Sequence, residues 1–212
     1  MKQQKLRVLL VGAKGVIGKH VYSAIKENHT VICAGLEPPT TSNEVQLDLS
    51  ASVTLENALK DLGPLDAIIS TAGRARFGVL ADAKVANFKD SIYGLGLQDK
   101  LMGQVNLVLA ARSVLRPGGS ITLTSGTTST EPVIGGSSFS MVNGALESWA
   151  RAAATELPHG LRLNVVSPSL VEGTPDAACA AFPGFELISG EKVARAYVRS
   201  LCSCITGQVI SV

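Results

Sequence analysis

The chain has 212 residues, of which 46% are hydrophobic and 17% charged, and its formal net charge is +2. This length and composition predict one compact α/β domain, because the chain is short for two domains and too apolar to be disordered. The near-neutral charge and the lack of basic runs with interleaved aromatic residues argue against nucleic-acid binding, and no apolar stretch reaches membrane-spanning length.

The N-terminal sequence MKQQKLRVLLVGAKG combines a basic start with an apolar run, as a secretory signal does. The apolar run, residues 6–12, is too short for a signal peptide and leads directly into a glycine loop. We therefore expect a first buried strand in a cytoplasmic protein. Most of the four cysteines are expected to be buried structural thiols, because their spacing suits neither a disulfide nor a zinc site; they are Cys33, Cys179, Cys202 and Cys204.

Short runs rich in Val, Ile and Leu alternate along the chain with segments of helical periodicity. The predicted strands are 6–12, 30–35, 44–49, 65–71, 120–126, 161–167 and 207–212. The predicted helices are 16–28, 52–62, 91–115 and 139–157. Because the runs are apolar on both faces, they indicate a parallel sheet covered by helices on both sides. Residues 1–212 are therefore predicted to form a single doubly wound α/β domain, a Rossmann fold.

The sequence LLVGAKGVIG places three glycines, Gly12, Gly15 and Gly18, between the first strand and the first helix. Glycine lets the backbone turn sharply and approach a phosphate without a Cβ in the way. The helix start offers unpaired N–H groups and the positive end of its dipole. This context predicts a pyrophosphate site; a tight turn without a ligand is the alternative.

The end of the second strand bears on the choice between NAD and NADP. An NAD site usually has a carboxylate there, but this position is Gly35, and the first acid is Glu37. The gap leaves room for a 2′-phosphate, and Lys14 in the glycine loop supplies one positive charge. NADP is therefore the expected cofactor, with NAD possible if Glu37 turns inward.

Several motifs, in order, resemble those of the short-chain dehydrogenase/reductase family over almost the full chain. They are the glycine loop, LDLS at 47–50, STAG at 70–73, ITLTSG at 121–126 and LNVVSPSLVEGT at 163–174. The resemblance implies a nicotinamide dinucleotide cofactor. Together with the loop chemistry it predicts these cofactor-binding residues: Gly12, Lys14, Gly15, Val16, Ile17, Gly18, Gly35, Asp48, Leu49, Thr71, Ala72, Gly73, Pro168, Val171 and Thr174.

The chain departs from this family at the catalytic positions, and so resembles an atypical member without the Tyr-x-x-x-Lys pair. The family's Tyr, which exchanges a proton with the substrate oxygen, is Phe139, and its Lys is Asn143. The family's Asn falls on Lys100, whereas the Ser that orients the substrate is retained as Ser125. Phe139 has no ionisable hydrogen, while Asn143 keeps the ability to hydrogen-bond ribose hydroxyls.

Two hypotheses follow. In the first, Lys100 is partly desolvated, has a lowered pKa and replaces Tyr as the acid–base group in the reduction of a small carbonyl compound. Ser125, or one of Ser137, Ser138 and Ser140, would position the substrate oxygen. In the second, the protein binds a dinucleotide without turnover, as a sensor or regulator. For Lys100 itself, the alternative is an exposed helix lysine paired with Asp99 or another acid.

Two further expectations concern a lid and partners. The poorly periodic segment 170–190 is a candidate lid over the strand ends. Scattered histidines predict no metal site. A homodimer or homotetramer is expected, because the family pairs through its fourth and fifth helices and residues 145–153 offer small apolar side chains around Trp149.

Overall fold

The computed structural model describes residues 5–212, which form seven parallel strands in one sheet. The strand order is β3-β2-β1-β4-β5-β6-β7, so the chain winds outward from β1 in both directions. The strands are β1 (Arg7–Val11), β2 (Thr30–Gly35), β3 (Glu44–Gln46), β4 (Leu65–Ser70), β5 (Leu115–Thr124), β6 (Arg162–Ser167) and β7 (Val209–Ser211). This architecture confirms the predicted doubly wound α/β fold.

Helices cover both faces of the sheet. They are α1 (Val16–Ile25), α2 (Ser52–Leu62), α3 (Gly103–Ala111), α4 (Ser137–Ala153), α5 (Asp176–Cys179) and α6 (Gly190–Cys202). A π-helical segment, Gly96–Met102, leads into α3, and short 3-10 turns lie at Leu80–Asp82 and Thr127–Ser129. None of the helices in residues 5–212 combines the length and apolarity needed to cross a bilayer.

Two hydrophobic layers enclose the sheet. One layer buries side chains of α1 and α6, such as Val21 and Tyr197, against β1 and β4. The other buries side chains of α2, α3 and α4, such as Leu59, Leu107 and Leu146. Strands with helices on both faces are apolar throughout, which explains why their sequences read as continuous Val, Ile and Leu runs.

The predicted helix 91–115 and strand 120–126 had wrong boundaries. The helix is π-helical over Gly96–Met102, and α3 ends at Ala111. Strand β5 already begins at Leu115, which pairs with Leu65 before the register shifts. The Pro and Gly residues between them therefore bulge within the strand, whereas the sequence pattern suggested a stop before it.

Three smaller predictions also need correction. Helix α4 begins two residues before Phe139, and β3 ends at Gln46. The cysteines are not buried: Cys33 and Cys179 are half-buried, while Cys202 and Cys204 are exposed. The sheet-facing side of α6 is already occupied by residues such as Tyr197 and Leu201, so the last turn directs Cys202 outward.

Candidate active site

A cleft lies at the carboxyl ends of β1 and β4, where the strand order reverses. The main chain closes its floor, because Gly12 N donates to Ala34 O at 2.8 Å and Thr71 N donates to Val11 O at 2.8 Å. The cleft measures about 380 Å³. Predicted cofactor residues that line it are Gly12, Lys14, Gly15, Gly35, Asp48, Leu49, Thr71, Ala72 and Gly73.

The glycine loop has the geometry that a pyrophosphate requires. Gly12 adopts a φ of +82°, in the left-handed region, and a Cβ on Gly18 would collide with the Gly12 carbonyl oxygen. Helix α1 begins after Gly15 with no side-chain cap and no acidic residue in its first turn. The amides of Val16 and Ile17 at this helix start are therefore suited to a phosphate group.

Charged side chains form the rim of the cleft. Lys14 Nζ lies 3.2 Å from Glu37 Oε2 and 3.5 Å from Glu44 Oε2. The hydrogen bond to Glu37 raises the pKa of Lys14 above its ordinary value. A Cβ on Gly35 would meet no atom of residues 5–212 within 4 Å, so these residues leave the space beside the β2 end open.

Two further acids line the cleft and have defined partners. Asp48 accepts hydrogen bonds from Ser50 N at 2.8 Å and Ser50 Oγ at 2.7 Å, which hold its loop in place. Asp99 forms an ion pair of 2.7 Å with Arg74. Asp99 is therefore the ion-pair partner of Arg74 and not of Lys100.

Lys100 is buried, with 8% of its surface exposed, and the alternative of an exposed helix lysine is therefore wrong. Its Nζ donates to the main-chain oxygen of Ser125 at 3.0 Å. Burial lowers the pKa of Lys100 to about 8, and the charge of Glu147 partly opposes this shift. Gly73 allows the close packing, because a Cβ there would lie 2.7 Å from Lys100 Cγ.

Glu147 is a site residue that the sequence analysis missed. It is 5% exposed, and its Oε1 accepts hydrogen bonds from the hydroxyls of Ser125 at 2.6 Å, Ser129 at 2.9 Å and Ser167 at 3.0 Å. Phe139, Asn143 and Glu147 follow one another at intervals of four and so share one face of α4. That spacing was the available signal, since an acid on the catalytic face of a buried helix requires a partner.

Asn143 has one satisfied and one unsatisfied polar atom. It is 2% exposed, and its Nδ2 donates to Thr128 Oγ1 at 2.8 Å. Its Oδ1 is buried without a hydrogen-bond partner among the described residues. Such an oxygen is costly unless a ligand donates to it, and a ribose hydroxyl of a dinucleotide fits this requirement.

Aromatic rings connect the candidate lid to the site. The Phe77 and Phe139 ring centres are 4.5 Å apart, and the Phe182 ring lies 5.9 Å from Phe77. The segment is held at its ends by a parallel bridge between Val171 and Ile188. Segment 170–190 therefore folds back on itself, and its Phe182 is connected to Phe139 of the site through the ring of Phe77.

The predicted cofactor residues after β6 lie at the same end of the sheet. Pro168 is buried, and its oxygen accepts from Thr127 N at 3.1 Å. Val171 is buried in the layer of α1 and α6, so only its main chain is available to a ligand. Thr174 N donates to Val171 O at 3.0 Å. Over residues 5–212, no group of three or more His, Cys, Asp or Glu side chains is arranged to hold a metal ion.

The parallel sheet and the cleft at its switch point are those of a dinucleotide-binding Rossmann domain. A family model described as Enoyl-(Acyl carrier protein) reductase matches residues 12–204. The chain belongs to this family, within the short-chain dehydrogenases/reductases, which agrees with the resemblance drawn from the motifs. Membership makes it an oxidoreductase by family, of the type that uses a nicotinamide dinucleotide.

Individual relatives cover nearly the whole chain. The protein lin1944 from Listeria innocua has a crystal structure that is similar with a TM-score of 0.89 and 34% identity, over 98% of this chain and 99% of that one. A small-chain dehydrogenase solved in complex with NADPH has a TM-score of 0.82 and 26% identity, over 99% and 97%. The uncharacterized oxidoreductase YmfI of Bacillus subtilis (strain 168) is 26% identical over 234 residues, or 96% of each chain.

Proposed function

We propose that the protein is an NADP(H)-dependent oxidoreductase that reduces small carbonyl compounds, with Lys100 as the proton donor in place of the family's Tyr. The observation that carries this proposal is the buried Lys100 ammonium, held 3.0 Å from Ser125 O at the carboxyl end of the sheet. Buried lysines with shifted pKa values cluster at functional sites, because burial of a charge without a use is costly.

The proposed chemistry requires one proton from the protein. When bound, the cofactor supplies a hydride to the substrate carbonyl carbon. As the C=O electron pair moves onto oxygen, Lys100 Nζ transfers a proton to that oxygen and becomes a neutral amine, which then recovers a proton from water. A pKa of about 8 suits this role, because a general acid works best when its pKa is near the operating pH.

Phe139 and Asn143 have supporting roles in this proposal. The Phe139 ring cannot donate a proton, but Lys100 Nζ lies 5.8 Å from its centre, where the ring face is attractive to a cation. The Oδ1 of Asn143, which has no hydrogen-bond partner in the described part of the chain, is the acceptor that we assign to a hydroxyl of the nicotinamide ribose. Asn143 thus retains the ribose contact of the family Lys while Lys100 supplies the charge.

Three observations support NADP as the cofactor. The space at Gly35 is open, Lys14 stands at the rim, and a relative at 26% identity was solved with NADPH. Glu37 and Glu44 hold Lys14 in the absence of a phosphate, so NADP binding requires Lys14 to exchange these carboxylates for the 2′-phosphate. NAD is favoured instead if Glu37 binds the ribose hydroxyls.

The first experiment separates binding from turnover. Fluorescence titration with NADPH and NADH measures the cofactor site, and NADPH oxidation is followed against a panel of aldehydes and ketones. Lys100→Met, which keeps the side-chain length and removes the charge, should lower kcat by about 10²–10⁴-fold and leave NADPH affinity largely intact. The exposed Lys60→Met is the matched control.

The remaining outcomes of these measurements distinguish the proposed function from its alternatives. Saturable NADPH binding with no turnover of any carbonyl compound would favour the alternative function, a dinucleotide-binding sensor or regulator. Turnover that is equal in the wild type and in Lys100→Met would overturn the lysine mechanism. Binding of neither dinucleotide would overturn both functions.

A further inference from the structure

In the hydrogen-bond network around Glu147, three serine hydroxyls of the site donate to the same oxygen atom. Ser125 follows β5, Ser129 lies in the 3-10 turn after it, and Ser167 ends β6. All three donate to Oε1 of Glu147, at 2.6, 2.9 and 3.0 Å. Three separate parts of the chain thus converge on a single buried carboxylate, which makes the arrangement more specific than a surface acid.

The network determines whether Ser125 can donate or accept a hydrogen bond with a substrate. A serine hydroxyl has one hydrogen, and Ser125 gives it to Glu147. Its Oγ therefore presents only lone pairs to the space beside it. An ammonium has three hydrogens, and Lys100 uses one of them on Ser125 O. Within the described residues the other two have no acceptor, so Lys100 can donate to a substrate oxygen, which Ser125 in this network cannot.

Glu147 also balances the charge of Lys100. Of the residues that approach the Lys100 side chain, Phe139 of α4, Ser125 after β5 and Gly73 after β4 carry no charge. Asp99, the residue before Lys100, is ion-paired with Arg74. Ser125 connects the two groups, because its hydroxyl donates to Glu147 Oε1 at 2.6 Å and its main-chain oxygen accepts from Lys100 Nζ at 3.0 Å. At this proximity the negative charge of Glu147 raises the pKa of Lys100 and so opposes the effect of burial.

We propose that Glu147 is a positioning residue that fixes the proton distribution of the site: it holds Ser125 as a hydrogen-bond acceptor and keeps Lys100 charged as the proton donor. The catalytic consequence rests on the proposed function, whereas the charge coupling does not. The role is distinct from packing, because a neutral side chain of the same shape would fill the space and fail to keep Lys100 protonated.

The test measures the Lys100 titration directly. The 13C chemical shift of lysine Cε is followed against pH in the wild type, Glu147→Gln and Glu147→Asp, with Lys100→Met assigning the signal and circular dichroism confirming the fold. In Glu147→Gln the Lys100 midpoint should fall by about one pH unit or more, as expected when a nearby opposite charge is removed. Glu147→Asp, which keeps the charge, should retain most of the wild-type midpoint. An unchanged midpoint in folded Glu147→Gln would overturn the proposal.

If Glu147→Gln does not fold, a double variant still tests the proposal. Charge coupling predicts that Lys100→Met/Glu147→Gln folds, because no unpaired buried charge remains. A double variant that also stays unfolded would show that the carboxylate is purely structural. Lack of turnover with every carbonyl compound would defeat the proposed function, yet the titration of Lys100 would still decide the role of Glu147.

Discussion

The Nζ atom of Lys100 lies 5.8 Å from the centre of the Phe139 ring. The motif resemblance aligns the two residues with the family's Asn and Tyr, and we propose that Lys100 takes over the role of the Tyr. Phe139 has no phenolic oxygen that could accept a hydrogen bond, and the Lys100 ammonium donates to the main-chain oxygen of Ser125 instead. We therefore expect the protonation state of Lys100 to affect both the proposed reduction and the stability, and the two effects should change with pH in opposite directions.

Reduction should become slower as pH rises through the pKa of Lys100. The amine must be protonated to donate, and the pKa is about 8, so kcat/KM for carbonyl reduction should fall above that pH. Oxidation of the corresponding alcohol needs the neutral amine and should rise over the same range. The pH profiles of both directions check this. Lys100→Arg, which stays protonated, should show neither limb, and a wild-type reduction profile that is flat from pH 7 to 10 would contradict it.

Folding stability should respond to pH in the opposite sense. The Lys100 pKa is lowered from 10.5 to about 8 in the folded protein, so the unfolded chain binds more protons between these values. The free energy of unfolding contributed by this group therefore rises with pH from about 8 to 10.5 and is lost again as pH falls through 8. The difference between wild type and Lys100→Met in urea denaturation should change by on the order of 3 kcal/mol across this range. A constant difference would contradict the burial of a charged amine.

Replacing Glu37 should increase the preference for NADPH. The carboxylate competes with a 2′-phosphate for Lys14 Nζ, which lies 3.2 Å away. Because an exposed ion pair contributes little, Glu37→Gln is expected to tighten NADPH binding by only about two- to fivefold. Affinity for NADH should stay the same or weaken. Fluorescence titration of both cofactors gives the ratio, and the remote Glu156→Gln is the control. Tighter NADH binding in Glu37→Gln would show that Glu37 does not discriminate between the cofactors.

Much of the fold could be predicted from the sequence because it depends on local patterns. A Val- and Leu-rich run such as residues 7–11 is buried on both faces, and its continuous apolar pattern predicts this burial. Boundaries were wrong where a long-range contact overrides the local signal. Leu115 joins β5 because Leu65 is available for pairing, which the intervening Pro and Gly residues conceal.

The candidate site was only partly predictable for a similar reason. The importance of Lys100 follows from motif positions, but its burial depends on the approach of Gly73 and on Phe139 from another helix. Glu147 had only its helical spacing as a signal. Its three serine donors are 18 to 22 residues away along the chain, and only the folded sheet brings them to one oxygen atom.

Two glycines in the cofactor cleft should differ sharply in their tolerance of alanine. A Cβ on Gly18 would collide with the Gly12 carbonyl, whereas one on Gly35 would meet nothing within 4 Å. Gly18→Ala is therefore expected to cost about 1–3 kcal/mol in the free energy of unfolding, because the first helix must move away from the loop. Gly35→Ala should leave that free energy nearly unchanged. Urea denaturation of both variants makes the comparison, and equal stability of the two would contradict the close packing of α1 on the glycine loop.

Asn143→Leu should separate cofactor binding from stability. Among residues 5–212 the buried Oδ1 has no hydrogen-bond partner, so its removal relieves an unfavourable group, while removal of Nδ2 breaks the 2.8 Å bond to Thr128. These effects oppose each other, so the free energy of unfolding of the cofactor-free protein should change by less than about 1 kcal/mol. Cofactor affinity should fall by about tenfold, because a ribose hydroxyl loses its acceptor.

Thermal unfolding with and without NADPH measures both quantities, and Thr128→Val, which loses the Nδ2 bond and keeps Oδ1, is the matched control. If Asn143→Leu binds NADPH as tightly as the wild type, Oδ1 does not contact the ribose, and its lack of a partner requires another ligand.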